Sequence, residues 1–594
     1  MVSETPSAND VVGYSLAVSD PETARPAICL NMIVKNEAHI IRETLDSVAP
    51  YISSWLIVDT GSDDGTQDLI ANHMSSLGIP GQLHERPWCN FGHNRTEALT
   101  LAQGHGDYIW VIDADDILVG TPDFTQLSAD IYWMRIGEAS FAYWRQQLFR
   151  DGARVRYEGV VHEGVIVEPD CVQASVEGEY HIDSRRLGAR SQDRQKYARD
   201  RDLLLVEVER DPEHTRWVFY LAQSYFDLGD FANARKWYAR RSEMGGWDEE
   251  VYYSMCRVAE SMARLDEPWP DIQDAYLKAW EFRPTRAEAL HAIACWYREQ
   301  QHYRLGYLFA ERAAQVPFPG ADILFVGIDI YTWRATDEQA ICASWIGKHA
   351  EAFTLCRRLL ARPDIPDEGR QRIARNRDFS VPAMIEAASS YPEVLVGSVV
   401  AGPRNTNVTV SLIAGPDRTA TEQTLNSFLH CCNDVSQVGR FLVLDTGLSA
   451  PDRATLQERY GFLEFAHPDI GGVPGAQLAQ LREQIHGRFW LHLDHGWRFF
   501  APENLITRLT AVLEAETQVV QVAINFADAV KLTGASAAEH AVRRTPDAGR
   551  YVLSEVVANG PAMFDTARLD RAGGVDRTAV QTASLDEVLC VTAS

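Results

Sequence analysis

The sequence predicts an α/β domain with a mostly parallel, doubly wound sheet, then an all-α stretch of helical repeats, then a second α/β domain. Three observations carry this. Short apolar strand candidates alternate with amphipathic helical spacing up to about residue 195. The alternation gives way to helical spacing from about Tyr197, and it returns near Val408. With 594 residues the chain exceeds one domain of roughly 150 residues, and 46% apolar content lets it bury sizeable cores.

In order, Ile28 to Val34 reads as a buried strand, and Ile40, Ile41, Leu45 and Val48 carry helical spacing. Trp55 to Val58 is a second strand ending at Asp59. Asp59 to Gly65 is a turn cluster, with a helix running on from Thr66. Tyr108 to Ile112 is a third strand ending at Asp113. Open α/β sheets bind ligands at the carboxyl ends of their strands, where both aspartates fall. The expected division is a tail over 1–25, an α/β domain over 26–195, helical repeats over 196–385 and a second α/β domain over 400–594.

In the helical part, Trp217, Leu221, Ala222, Tyr225, Gly229, Ala234 and Tyr238 alternate small and aromatic positions. Pro284 and Pro317 close two similar segments 33 residues apart. A period near 34 is the tetratricopeptide (TPR) signature; a generic helical linker is the alternative. Tyr225, Trp237 and Tyr238 read as packing residues. The last part repeats the first: Leu442-Val443-Leu444-Asp445-Thr446-Gly447 answers to Leu56-Ile57-Val58-Asp59-Thr60-Gly61, and Arg488 to Asp494 answers to Tyr108 to Asp113.

A formal charge of −27 disfavours nucleic acid and anionic membrane as partners. Ten scattered cysteines without a CxxC pair suit a reducing compartment. Met1 to Asp20 lacks the features of a signal peptide, and no run of 18 apolar residues suggests a transmembrane helix, so a soluble cytoplasmic protein is expected.

Asp113-Ala114-Asp115-Asp116 places three carboxylates at one strand end. Like charges so close disfavour one another's ionised state, and a divalent cation bridging to a diphosphate resolves the conflict. Here the chain resembles glycosyltransferase family 2, of the GT-A fold. The resemblance runs over about residues 26–190, through Met32 to Glu37, Ile57 to Thr66, Asn90 to Leu99 and the Asp113 cluster. It extends to a subgroup in which such a domain precedes TPR-type helices.

The resemblance implies roles. Val34, Asn36 and Glu37 lie near a nucleobase; Asp59 hydrogen-bonds the base and Asp63 assists. Asn94 and Arg95 sit by the diphosphate or sugar, unless they only open a helix. Asp113 meets the ribose and metal side, and Asp115 ligates Mn²⁺ or Mg²⁺ directly. Inverting transfer needs a general base; in Tyr157-Glu158-Gly159-Val160-Val161-His162-Glu163 the candidate is Glu163, with His162 as base or metal ligand in its place. His181 is a further metal ligand or a plain loop histidine. Arg185, Arg186 and Arg190 form a phosphate site or a solvated stretch. Asp63 and Asp64 also read as turn and cap residues, and Trp88 as a core residue or, in its place, a stacking platform for a sugar or nucleobase.

In the C-terminal repeat, Gly496 stands where the second carboxylate falls and Ala414-Gly415-Pro416 replaces Lys35-Asn36-Glu37, so a degenerate GT-A-like domain is expected. The functional expectation is metal-dependent, inverting transfer of a sugar from a nucleoside-diphosphate sugar to a peptide, protein or glycan acceptor. Homo-oligomerisation is left open. The rival is a non-catalytic TPR scaffold with inert glycosyltransferase-like domains. Nucleotidyl transfer lacks a Gly-rich, basic loop after the first strand.

Overall fold

The computed structural model describes residues 25–138, 141–185, 187–190, 195–402, 407–467, 474–525, 539–555, 557, 560–574 and 581–592. Residues 1–24 of the expected tail and Arg186 lie outside them. The chain gathers into two compact units, residues 1–292 with 316–331 and residues 293–315 with 332–594.

The first unit opens with β1 (Ile28–Val34), α1 (Ile41–Val48), β2 (Ser54–Asp59), α2 (Thr66–Ser76), β3 (Gly81–Glu85), α3 (Phe91–Leu101) and β4 (Tyr108–Val111). These strands are parallel in the order β3-β2-β1-β4. Strand alternation explains the double winding. Ile28, Leu30, Met32 and Val34 pack with Ile41, Leu45 and Val48 of α1 and Ile70 and Met74 of α2. Cys29 faces the other way, with Leu56, Val58, Ala98 and Leu99. Asn31 shares that second face. It is buried, and its amide donates to Leu56 O at 3.0 Å and Ala98 O at 3.1 Å, stitching β1 to β2 and α3.

Strands β5 (Asp116–Asp123), β6 (Ile131–Glu138), β7 (Phe141–Arg150), β8 (Val155–Glu158), β9 (Gly164–Val167), β10 (Gln173–Ser175) and β11 (Glu177–Ser184) follow. The sheet continues β4-β7-β6-β11-β5, with antiparallel pairing at β4–β7, β7–β6 and β11–β5. Strands β8 and β9 form a separate hairpin whose connection is residues 159–163.

The helical stretch begins with α4 (Lys196–Arg210), α5 (Thr215–Asp227), α6 (Phe231–Glu243), α7 (Asp248–Arg264), α8 (Trp269–Phe282), α9 (Glu288–Glu299) and α10 (Tyr303–Gln315). Helices α8 and α10 begin 34 residues apart, as the TPR period requires. Tyr238 is fully buried, with Tyr225 and Trp237 packed beside it, so the aromatic stripe is core as expected. Five more helices, α11 (Ala335–Trp345), α12 (His349–Leu360), α13 (Asp367–Phe379), α14 (Val381–Ala388) and α15 (Glu393–Ala401), lie in the second unit.

The second unit then repeats the first plan: β12 (Val408–Ala414), α16 (Arg418–Cys431), β13 (Arg440–Asp445), α17 (Ala450–Arg459), β14 (Leu463–Ala466), α18 (Pro474–Glu483) and β15 (Phe489–Leu493), with parallel order β14-β13-β12-β15. Strands β1 and β12 share one burial sequence, in which only the sixth residue, Ile33 or Ile413, is half-buried. The buried polar position recurs too, as Asn31 and Ser411.

Asn31→Ala removes two buried hydrogen bonds and leaves a void. We expect a loss of about 1–3 kcal/mol from the first unit, measured by urea unfolding and by hydrogen exchange of the β1 amides. The amides of β12 should be unaffected.

Candidate active site

The carboxyl ends of β1 and β2 lie side by side, with Val34 paired to Asp59 in the ladder. Val34 O accepts from both the N–H and the hydroxyl of Thr60, at 2.9 and 3.0 Å. Asp59 is fully buried. Its Oδ1 accepts at 2.9 Å from Gly61 N–H, Ser62 N–H and the Gln67 amide. Burial alone would raise its pKa, but these hydrogen bonds hold it below the usual carboxylate range. Asp59 Oδ2 is buried without a hydrogen-bond partner among the described residues.

Asn36 sits in the left-handed region at φ 59°, which asparagine tolerates better than most residues. Its N–H donates to the Ser62 hydroxyl and its Oδ1 accepts from Asp63 N–H, at 2.8 and 2.9 Å. Asp63 is exposed. Asp64 is the turn residue, accepting from Thr66 N–H at 3.0 Å and Ala38 N–H at 3.1 Å. Asn94 turns away from the strand ends: its amide accepts from Cys89 N–H and donates to Pro87 O, at 2.9 and 3.0 Å, and so fixes the loop before α3. Trp88, expected in the core, is 42% exposed and meets Phe91 edge-on, because that loop carries it out to solvent.

Arg95, on α3, is the hub. It is only 6% exposed and pairs with two carboxylates from different elements, Asp113 after β4 and Glu163 in the 159–163 loop, the latter at 2.5 Å. Arg145, on β7, reaches the other oxygen of Asp113 at 3.3 Å. Against the effect of burial, the two guanidiniums hold Asp113 well below the usual carboxylate range. Arg145 went unnoticed in the sequence; it lies in an aromatic strand with no motif around it.

Asp116 is buried, and Ser184, opposite it in the ladder, is the polar side chain set against its carboxylate. Burial and then the charges of Asp113 and Asp115 push it up to about 8. Asp115 Oδ2 accepts from Gly188 N–H at 2.8 Å. Glu37 accepts from Ala189 N–H at 3.2 Å, and burial together with the charge of Asp115 raises it to about 7. Residues 187–190 thus lie across both carboxylates, and His39 donates from its ring Nε2 to Leu187 O at 3.0 Å. Arg185 pairs with Glu43 and donates to Asp115 O at 3.1 Å; Arg190 pairs with Asp200. Glu37, Asp113, Asp115 and Asp116 offer only oxygen donors, the chemistry a hard divalent cation takes, but among the described residues no three of them bring ligand atoms within 4.8 Å of one another, and Asp113 is engaged by Arg95 and Arg145. His181 does not join this set. It faces Val119, three residues along β11 from Ser184, about 10 Å at the rise of a strand.

The 159–163 loop is pressed between α3 and the first helices. Gly92 N–H donates to Gly159 O at 3.0 Å, and a Cβ on Gly92 would come within 2.7 Å of that oxygen, so only glycine allows the approach. Val161 is buried with Leu204, Val208, Val218 and Leu221 of α4 and α5. His162, left-handed at φ 52°, stacks flat on Tyr220 with ring centroids 4.2 Å apart, an interaction of about 0.5–1.5 kcal/mol beyond area burial. Burial and then Arg190, Lys196 and Arg216 push His162 down to about 3, which makes it a poor proton acceptor.

The second unit keeps the scaffold and changes its side chains. Asp445 Oδ1 accepts from Gly447 and Leu448 N–H, at 3.1 and 2.8 Å, as Asp59 Oδ1 does from Gly61 and Ser62. Its Oδ2, however, is taken by Arg453 of α17. The turn after β15 repeats the one after β4, with Trp497 N–H donating to Asp494 O as Asp116 N–H does to Asp113 O, and the position of Asp115 is Gly496 at φ 79°.

Residues 29–121 match the model of glycosyl transferase family 2, so the N-terminal sheet, with its strand-end carboxylates, resembles that family over this stretch. The helical part is TPR-like. A TPR repeat-containing protein of Synechococcus elongatus is 24% identical over 319 residues, which are 49% of this chain and 75% of that protein. Among solved structures, GalNAc-T7 with UDP, GalNAc and Mn²⁺ is 9% identical (TM-score 0.26, 31% of this chain and 43% of that one). The mannosyltransferase PcManGT from Pyrobaculum calidifontis with GDP-Man and Mn²⁺ is 13% identical (TM-score 0.24, 36% and 67%). No helix among the described residues is long and apolar enough to cross a membrane.

The lowered His162 gives a pH prediction. A histidine kept neutral in the fold contributes stability above its unfolded pKa of about 6.5, and that contribution is lost as pH falls towards 3. In this window stability should fall by up to about 1.4 kcal/mol per pH unit. His162→Asn, which tolerates the same backbone region, should flatten the slope in denaturation series at pH 4 to 7. An unchanged slope would exclude His162 as its source.

Proposed function

We propose that the first unit is a metal-dependent, inverting glycosyltransferase that moves a sugar from a nucleoside-diphosphate sugar to a peptide, protein or glycan acceptor. The observation that supports this best is the Arg95 bridge between Asp113, at the carboxyl end of β4, and Glu163, with the open Asp59 Oδ2 at the carboxyl end of β2 in the same sheet.

Asp59 Oδ2 accepts a hydrogen bond from the nucleobase, while Val34 and the Asn36 turn shape the base pocket. Asp113 and Asp115 would hold Mn²⁺ or Mg²⁺, which would supply Lewis-acid stabilisation of the leaving diphosphate. Arg95 and Arg145 add fixed positive charge beside that group, and Glu163 takes the proton of the attacking acceptor. In this reading residues 26–195 are the catalytic domain, 196–385 the TPR-like connector and 400–594 a degenerate GT-A-like domain, its base pocket filled by Arg453. All ten cysteines are free thiols, which suits the cytoplasm. The alternative is a non-catalytic scaffold; the relative named for its TPR repeats and covering 49% of the chain favours it.

The deciding experiment measures nucleoside diphosphate release from UDP-, GDP- and TDP-sugars with Mn²⁺, Mg²⁺ or EDTA. One donor should be turned over only with metal. Asp115→Ala and Glu163→Gln should lower the rate roughly 10²–10⁴-fold, and His495→Ala should leave it unchanged. If no donor is hydrolysed and none raises the melting temperature, the scaffold reading stands instead.

A further inference from the structure

The loop carrying Glu163 is held from two sides, and only one of them is the glycosyltransferase domain. Arg95 grips the carboxylate from α3. From the other side come the side chains of the first helical repeat. Tyr220 of α5 lies parallel to the His162 ring, within 1°. Arg216, one turn earlier, donates to His162 O at 3.4 Å, sits over the Tyr220 ring at 5.1 Å and lies against the backbone of Gly164, where an added Cβ would stand 3.3 Å from its Nε.

Arg216 is itself fixed. It pairs with Glu250 at 3.6 Å, on the first turn of α7, and Glu250 is gripped by the fully buried Arg241 of α6 at 2.9 Å. Arg241 completes the chain by donating to Gly245 O at 2.8 Å. A left-handed histidine is a conformation that persists only where its surroundings enforce it, and here the enforcement comes from α5.

We infer that Tyr220 and Arg216 are positioning residues for the Glu163 loop, so that the first helical repeat is a working part of the transfer site. This rests on the proposed transferase reading for its catalytic consequence, but the positioning itself does not. Two features set the expected pattern. The stack needs a flat ring and not a hydroxyl, so Tyr220→Phe keeps it and Tyr220→Ala loses it. The donor-side groups, Asp59 and Asp113, contact neither residue, so donor affinity is spared.

The test uses the full chain. Hydrogen exchange should quicken at least about tenfold in peptides spanning residues 158–165 in Tyr220→Ala and in Arg216→Met, with Tyr220→Phe like wild type and peptides spanning 57–68 unchanged in all three. With the donor identified by the release assay, kcat should fall about 10–10²-fold in Tyr220→Ala and Arg216→Met, the cost of misplacing a catalytic group by about 1 Å. KM for the donor should stay within twofold, and Tyr220→Phe should restore kcat. If Tyr220→Ala does not fold, Tyr220→Leu and Arg216→Met carry the same comparison.

Unchanged exchange at 158–165 overturns the positioning role. Altered exchange with unchanged kcat overturns its catalytic consequence. If Glu163→Gln is as active as wild type, the base assignment fails while the exchange result still decides whether α5 holds the loop.

Discussion

The ion pairs of Arg95 set the geometry of the first unit. A guanidinium removed from water must be matched by carboxylates close at hand, and here the matching groups come from the end of β4 and from the β8–β9 connection. Three elements must therefore meet at one point. Gly92 permits α3 to approach Gly159, Asn90 caps the helix by accepting from His93 N–H, and Asn94 pins the loop that leads in. Removing Arg95 would leave Asp113 paired with Arg145 alone among the described residues.

The second unit shows how little of this belongs to the scaffold. Its parallel strands, its Asp445 turn and the hydrogen bonds of Thr446 to Ala414 O reproduce those of the first unit. What differs is the charge arrangement. In the first unit a carboxylate oxygen is left open and acidic groups crowd at the strand end; in the second, Arg453 fills the opening and Gly496 removes a carboxylate. The same backbone thus holds one strand-end aspartate with an oxygen left open among the described residues and one closed by an arginine of its own unit.

The helices after β11 bury Val161 and stack on His162, so the boundary between sheet and helices runs through the candidate catalytic loop. A charge relay from Arg216 through Glu250 to Arg241 extends that support across α5, α7 and α6.

Much of this protein was legible in its sequence. Strand periodicity and the turn residues after Asp59 and Asp113 placed the parallel core, because those signals are local. The recurrence of Leu-x-x-Asp-Thr-Gly marked the second copy, and the proline spacing marked the helical period. The Asp113 cluster and the Glu163 candidate also stood out, because charge at a strand end is unusual. Tertiary structure alone decided which of these groups meet. It placed His181 about 10 Å along β11 from the residue facing Asp116, turned Asn94 into its own loop, brought Arg145 to Asp113 and set Tyr220 beneath His162. The Arg145–Asp113 contact spans 32 residues of chain, the two carboxylates of Arg95 lie 18 and 68 residues from it, and no local pattern encodes a contact that exists only when a sheet and a helix close on the same buried charge.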